Sequence, residues 1–257
     1  MGSPKDKIEF KQLYIQHMKK KDEVIKRIVC LLCFTDRCSL EKSVLDGVSY
    51  TLERREKQRQ DILGWTKRKE YYDSFSEEEK RIFEQPITND TNSEILFMAN
   101  DYECIEPLLW SIGLVNKLTD YDRYVTKDLH PPLRIGPDHT TEKLIEFCKD
   151  VPESNILKHR EIAMLWYWRC IVARNEKAES SQIKNAIIES FGQETLSYLK
   201  RYKGFDMEKG DFVVRGKTIP SLSNLELQRL EIIAERRFHA FEWLFSDEDW
   251  DEVDLVC

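Results

Sequence analysis

The sequence predicts a mainly α-helical protein, and three observations carry that prediction. Glycine and proline are scarce, 9 and 8 in 257 residues, which suits long helices better than many short strands and tight turns. Apolar residues recur at three- and four-residue spacing through most of the chain. Hydrophobic residues make up 41%, enough for a real core, while the 34% charged fraction exceeds the roughly 25% of ordinary soluble proteins. The expected architecture is a single compact multi-helix domain over 1–257. Its N-terminal helices cover about 5–85 and its central and C-terminal helices about 93–245. A small β-hairpin at about 211–219 precedes the C-terminal helix, and 246–257 form an acidic tail.

Each element has a local reason. Ile8 to Phe34 is expected to hold one or two helices, with Ile25, Ile28, Val29 and Leu32 at helical spacing. Ser39 to about Tyr72 is also helical in character, with Gly47 and Gly64 as interruptions. Ser76 and Glu79 form a capping box: the serine oxygen can accept from the third amide while Glu79 reaches back. Another helix is expected from Ser93 to about Leu118, with Cys104, Leu108, Leu109, Ile112 and Val115 inward. Thr119 to Thr140 contains Pro131, Pro132, Gly136 and Pro137 and is expected to be irregular. Helices follow at Thr141–Asp150, Asn155–Asn175, Ser181–Phe191 and Gln193–Tyr202. Asp211 to Val214 and Arg215 to Ile219 read as a hairpin turning around Gly216. Ser223 and Glu226 form a second capping box, opening a helix with an apolar stripe of Leu227, Leu230, Ala234, Phe238, Phe241 and Phe245.

Composition also narrows the function classes. The longest apolar run, Ile28–Phe34, is far shorter than the roughly 20 residues that span a bilayer. No apolar stretch follows the N-terminus, so a soluble, cytoplasmic protein with no membrane partner is expected. Seven cysteines, an odd count, point to reduced thiols rather than a disulfide framework. A net charge of −7 offers no global attraction to nucleic acid. The charge is uneven, however: Arg54 to Lys69 is strongly basic and Asp247 to Asp254 strongly acidic. Those stretches are expected to be a solvated helix face and a solubilising tail. The sharper alternative docks the tail on the basic stretch or on a basic partner.

Several candidate chemistries fail on spacing. Gly210 to Thr218 superficially suggests a phosphate loop, but five residues separate its glycines where that motif has four, and Pro220 replaces the required helix start. Cys30 and Cys33, with Cys38 nearby, lack the second ligand pair of a structural zinc site and lie in an apolar run, so core packing is expected. None of the histidines His17, His130, His139, His159 and His239 forms a helical ligand pair. His130 and His139, in the Pro-rich segment with Asp138, are expected to face solvent. No catalytic residue, metal or cofactor is assigned.

The informative cluster lies at Glu161 to Arg169. Ile162, Leu165, Trp166, Arg169 and Val172 share a helical face, which places a guanidinium among indoles. Glu161 is eight residues earlier on roughly the same face. A buried charge must be paired, so a buried Arg169–Glu161 pair beside Trp166 is expected. The alternative has Arg169 lining a pocket and binding a carboxylate or phosphate.

These segments together resemble a widespread, mainly bacterial family, domain of unknown function 4272, from roughly Ile25 to Asp254. Glu103 to Leu118 is similar to the family's helix of an acid followed by Leu-Leu-Trp. Trp168-Arg169 is similar to its aromatic–Arg pair, and Gly210-Asp211-Phe212 with Gly216-Lys217 to its hairpin. Ile233-Ala234 through Leu244, followed by Trp250-Asp251-Glu252-Val253, resembles its closing signature. The family's name implies no activity. That closing helix typically reads Glu-Arg-His-x-Ala-x-Asn-Trp-Leu. Here Arg237, Ala240, Trp243 and Leu244 are kept, while Arg236, Phe238 and Glu242 stand for the Glu, His and Asn. The terminal Pro-Thr-Asp-Thr is absent, and Trp250-Asp251-Glu252-Val253 runs into Asp254-Leu255-Val256-Cys257.

The function expected from sequence is a non-enzymatic, intracellular protein-binding module of the adaptor or toxin-immunity kind, whose partner is another protein. Its binding residues would be Glu161, Trp166, Arg169, Arg237, Trp243 and Trp250, with the tail packing back through Trp250. The competing class is a hydrolase or nucleic-acid-processing enzyme built on Arg169, Arg237 and Glu161, which would converge in a deep pocket. A binding module would instead bury its arginines in pairs and offer a flat or grooved surface.

Overall fold

The computed structural model describes residues 18–45, 47, 50–88, 92–133, 139–175, 180–199 and 204–255, and 69% of these are helical. Helix α1, Lys21–Leu45, buries Val24, Ile25 and the run from Arg27 to Thr35 on every side. A helix apolar all round belongs at the centre of a fold rather than on its surface. The expected helix over 8–17 lies outside the described residues. Where a break was expected before Ser39, α1 continues; the Ser39 and Ser43 hydroxyls are satisfied within it, donating back to the Thr35 and Leu40 carbonyls at 2.8 and 2.7 Å. The chain turns at Gly47, with φ of 69°. Helix α2, Leu52–Arg68, then passes through Gly64 without interruption, capped by Thr51 accepting from the Arg54 amide. The Ser76–Glu79 box opens helix α3, Glu77–Glu84, as expected.

The region after Ser93 differs from the single helix to Leu118. It divides into α4, Ser93–Met98, a 3₁₀ turn at Ala99–Asp101, and α5, Tyr102–Ser111. Gly113 ends α5: its φ is 72°, and a Cβ there would lie 2.7 Å from the Lys149 Cβ. Val115 and Leu118 consequently pack from a connecting segment rather than from a helix face. That segment is organised by the buried Glu106. Its carboxylate accepts from the Thr119 amide and hydroxyl, each at 2.8 Å, and lies 2.5 Å from Lys127 Nζ.

The expected irregular stretch holds a short helix α6, His130–Leu133, while its Gly136-Pro137 part and Asp138 lie outside the described residues. Helix α7, Thr141–Ile145, is shorter than expected; α8, Glu153–Asn175, and α9, Ser180–Phe191, match closely. Helix α10 covers Gln193–Leu199, and the expected continuation to Tyr202 falls outside the described residues.

The hairpin forms where the strand-like run and Gly216 placed it. Strands β2, Asp211–Val214, and β3, Lys217–Thr218, pair Val213 with Thr218 and Val214 with Lys217. Arg215 and Gly216, with φ of 50° and 82°, supply the left-handed pair that a two-residue hairpin turn requires. A third strand, β1 at Phe205–Asp206, adds antiparallel to β2; two residues are too few to show a period of two. Helix α11, Asn224–Leu244, starts at the Ser223–Glu226 box and buries Leu230, Ala234, Phe238 and Phe241. It packs most extensively on α8 and then on α5, and α5 packs in turn on α1. The apolar side chains form one continuous cluster from Val24 to Trp250.

Cys30, Cys33 and Cys38 are all buried in α1, in keeping with core packing. Burial pushes the Cys30 thiol up to about 12. No helix among the described residues is long and apolar enough to cross a membrane.

Gly113→Ala should lose about 1–3 kcal/mol in urea unfolding, since it meets both a positive φ and the Lys149 side chain. Gly47→Ala, where nothing lies within 4 Å of the new methyl, should lose less. Equal losses would mean that the backbone conformation alone, and not the contact with Lys149, ends α5.

Candidate functional site

The residues expected to carry function fall into two places. Arg169 on α8 is fully buried and closes bidentately on Asp211 of β2, Nε to Oδ1 at 2.8 Å and Nη2 to Oδ2 at 2.9 Å. The sequence expectation paired Arg169 with Glu161, and this is corrected. Eight helical residues separate the two by about 12 Å along the axis, whereas the hairpin delivers Asp211 directly against the guanidinium. Glu161 instead accepts from the Thr195 hydroxyl on α10 at 2.6 Å. Trp166 is buried beside this pair, 4.5 Å from the Phe212 ring and stacked on Tyr121 at 5.5 Å. Gly204 lies so close to Trp166 that a Cβ would come within 2.6 Å of the indole.

Arg237 on α11 forms a second closed site. It donates to Glu103 Oε2 through Nε at 3.0 Å and Nη2 at 2.8 Å, and to the carbonyls of Thr119 at 2.7 Å and Arg123 at 3.1 Å. The other oxygen of Glu103 accepts from the Val125 amide at 2.6 Å. Burial raises the Glu103 carboxyl, and the Arg237 charge opposes that rise. Tyr121 lies between the two arginine sites, stacked on Trp166 and with the Arg237 guanidinium 4.9 Å over its ring. Arg169, Arg237 and Glu161 therefore do not meet around one opening.

Trp243 and Trp250 lie elsewhere, where the chain after α11 folds back. Trp250 is buried, with ring contacts to His239 at 4.5 Å and Trp243 at 5.5 Å, and the Arg27 guanidinium 4.5 Å over its face. Arg27 pairs with Glu79, whose second oxygen also accepts from the Ser76 amide to complete the capping box. Nearby, Arg236 sits 3.1 Å from Asp101. Burial raises Asp101 to about 6, while His239 is pulled down to about 4 by burial and by Arg236 and Arg27. Spacing alone gave no sign of this cluster, because its members come from α1, α3, the 3₁₀ turn and α11.

A groove of about 630 Å³ opens beside Trp250. Its walls are the start of α1, the turn from Asp73 to Ser76 and the tail from Glu248 to Glu252, with Phe75, Trp243 and Trp250 on its lining. The tail thus shares this groove with Lys19, Lys26, Arg27 and Lys80. The Arg54–Lys69 stretch is not wholly a solvated face. Arg55 and Arg59 are buried, Arg55 donating to the carbonyls of Leu40 and Thr88 and Arg59 to that of Phe83; the Phe83 carbonyl lies in the last turn of its helix and lacks a helical partner.

The histidines of the Pro-rich segment correct another expectation. His139 is buried: its Nδ1 donates to the Leu133 carbonyl at 3.0 Å, and Tyr71 donates to its Nε2 at 2.8 Å. Two satisfied ring nitrogens remove the cost of burying the imidazole. His130 is half-exposed between Asp36 and Asp128, which raise it to about 9. The residues that replace the resembled family's polar positions are structural: Arg236 pairs with Asp101, Phe238 is core, and Glu242 binds Arg160 bidentately at 2.6 and 2.7 Å.

The sequence model of a domain of unknown function (DUF4272) matches residues 14–189. The chain belongs to that family. The matched range carries α1 to α8, and with them two walls of the groove, Glu103 and Arg169. The hairpin, α11 and the tail, with Asp211, Arg237, Trp243 and Trp250, lie beyond it. Neither the curated proteins nor the solved structures gave a significant match.

Arg169→Met should destabilise the protein by about 3–5 kcal/mol in urea unfolding, because it leaves Asp211 buried and unpaired. Combining it with Asp211→Leu should recover much of that loss. A single variant as stable as the parent would show that Arg169 is not held as a structural pair.

His159, packed 4.3 Å from Trp110, and His239 are both held at about 4, below the ordinary 6.5. The unfolded chain binds these protons first, so stability is complete above about pH 6.5 and is lost as pH falls toward 4. Thermal melts should show His159→Gln removing about 1–3 kcal/mol of that acid-dependent loss. An unchanged pH profile would mean that His159 titrates normally.

Proposed function

We propose that this member of the family is a non-enzymatic protein-binding module of the adaptor or toxin-immunity kind, acting inside a bacterial cell, and that its partner seats in the groove beside Trp250. The observation that carries this is the contrast between closed and open sites. Arg169 closes bidentately on Asp211, and Arg237 on Glu103 and two carbonyls of its own chain, as scaffold arginines do. The groove keeps its volume open, and two tryptophans, a residue type enriched in interface anchors, lie on its lining. Of the residues expected to bind, Trp243 and Trp250 belong to this surface. Trp166, Arg169 and Arg237 support it from the interior, and Glu161 fastens α8 to α10.

The test is affinity capture from lysate of the source organism, comparing the parent with Asp73→Trp, which places an indole on the exposed wall of the groove. One stoichiometric partner, released at high salt and lost with Asp73→Trp, is expected. A partner retained equally by both proteins, or none above background, would overturn this reading.

A further inference from the structure

We infer that the groove takes a cationic segment of its partner, a stretch with lysine or arginine next to an apolar side chain. This rests on the groove being the binding surface. Its lining carries two kinds of charge in very different states. Of the cations, Lys80 is held by Glu77 at 2.8 Å and Arg27 by Glu79, which leaves two, Lys19 and Lys26, with no salt bridge among the described residues. The carboxylates of Glu23, Asp73, Glu248, Asp249, Asp251 and Glu252 form no salt bridge among the described residues. The unspent charge facing an incoming partner is therefore negative, and a cation is attracted while an anion is repelled.

A second, independent observation points the same way. Both tryptophans of the lining already seat a cation of the chain itself, Arg27 on Trp250 and Lys19 on Trp243. Arg27 is buried and fixed by Glu79, so its place is permanent. The Lys19 backbone is tied to the Leu244 carbonyl at 2.9 Å, but its ammonium, only partly buried and without a carboxylate partner among the described residues, meets the ring by a cation–π attraction worth roughly 0.5–1 kcal/mol at an exposed site. A partner's lysine or arginine can displace it and gain in addition the carboxylates of the tail. The tail thus supplies the charge and Trp243 the seat. An apolar neighbour on the partner would lie against Phe75.

The experiment is selection of phage-displayed random peptides on the folded full-length protein, with rejection of those that also bind Asp73→Trp. Retained peptides are expected to be rich in lysine and arginine around one apolar residue. Their affinity should fall at least about tenfold toward the Asp249→Asn, Asp251→Asn, Glu252→Gln protein, and again between about 50 and about 300 mM salt. Unchanged melting of both variants guards against loss by unfolding. Retained peptides that are neutral or acidic, or basic ones that bind the neutralised tail equally well, would sink the cationic segment and leave the groove standing. If no peptide distinguishes the parent from Asp73→Trp, the groove itself fails as the binding surface.

Discussion

Burial of guanidinium groups is the constraint on which the rest of this structure depends. Arg27, Arg37, Arg169 and Arg237 are all nearly or wholly inaccessible. An isolated charge in such a place costs several kcal/mol, so each must be met by a carboxylate or by carbonyl oxygens. The partners come from distant parts of the chain: Glu79 for Arg27, Asp211 for Arg169, Glu103 for Arg237. Each pair consequently fixes one element against another, α1 to α3, α8 to the hairpin, α11 to α5. Arg37 is the local exception, pairing with Glu41 one turn away while also reaching the Gln85 carbonyl.

Glu103 and Glu106 extend the same principle to an irregular segment. Between Gly113 and Leu129 there is little helix to satisfy the backbone. Two buried carboxylates on α5 accept from the amides of Thr119 and Val125, and Arg237 donates to the carbonyls of Thr119 and Arg123. A charged network thereby does for this loop what a hydrogen-bond ladder does for a strand. It also holds Tyr121 between Trp166 and Arg237, so the two buried arginine sites share one aromatic ring.

The groove is where this interior order reaches the surface. Trp250 covers a polar cluster of Arg27, Asp101, Arg236 and His239 on its inner side, and on its outer side lines the opening. Family membership rests on residues 14–189, which carry the walls contributed by α1 and by the turn before α3. The remaining wall, with both tryptophans, comes from the C-terminal part beyond that match. The groove is therefore assembled from the matched part of the chain and from the part beyond it.

Local order was legible in the sequence because its causes are local. The two capping boxes, the hairpin with its Arg215-Gly216 turn, the stripe of α11 and the core character of Cys30 and Cys33 each follow from residues within a few positions of one another. Trp250 was also legible as a packing residue, since a tryptophan in an acidic tail needs somewhere to go. Pairing was not legible. Arg169 announced that it needed an anion, but whether Glu161 or Asp211 met it depended on where the hairpin lies against α8. Likewise the bare backbone of Gly113 leaves room for Lys149 to lie against the end of α5, and His139 is buried because Tyr71 and the Leu133 carbonyl meet its two nitrogens. The sequence by itself determined the helices, their caps and the need to neutralise buried charge. Only the tertiary structure decided which groups meet and which carboxylates remain unspent at the groove, because electrostatic partners are chosen by distance in space and the chain's periodicity carries no record of it.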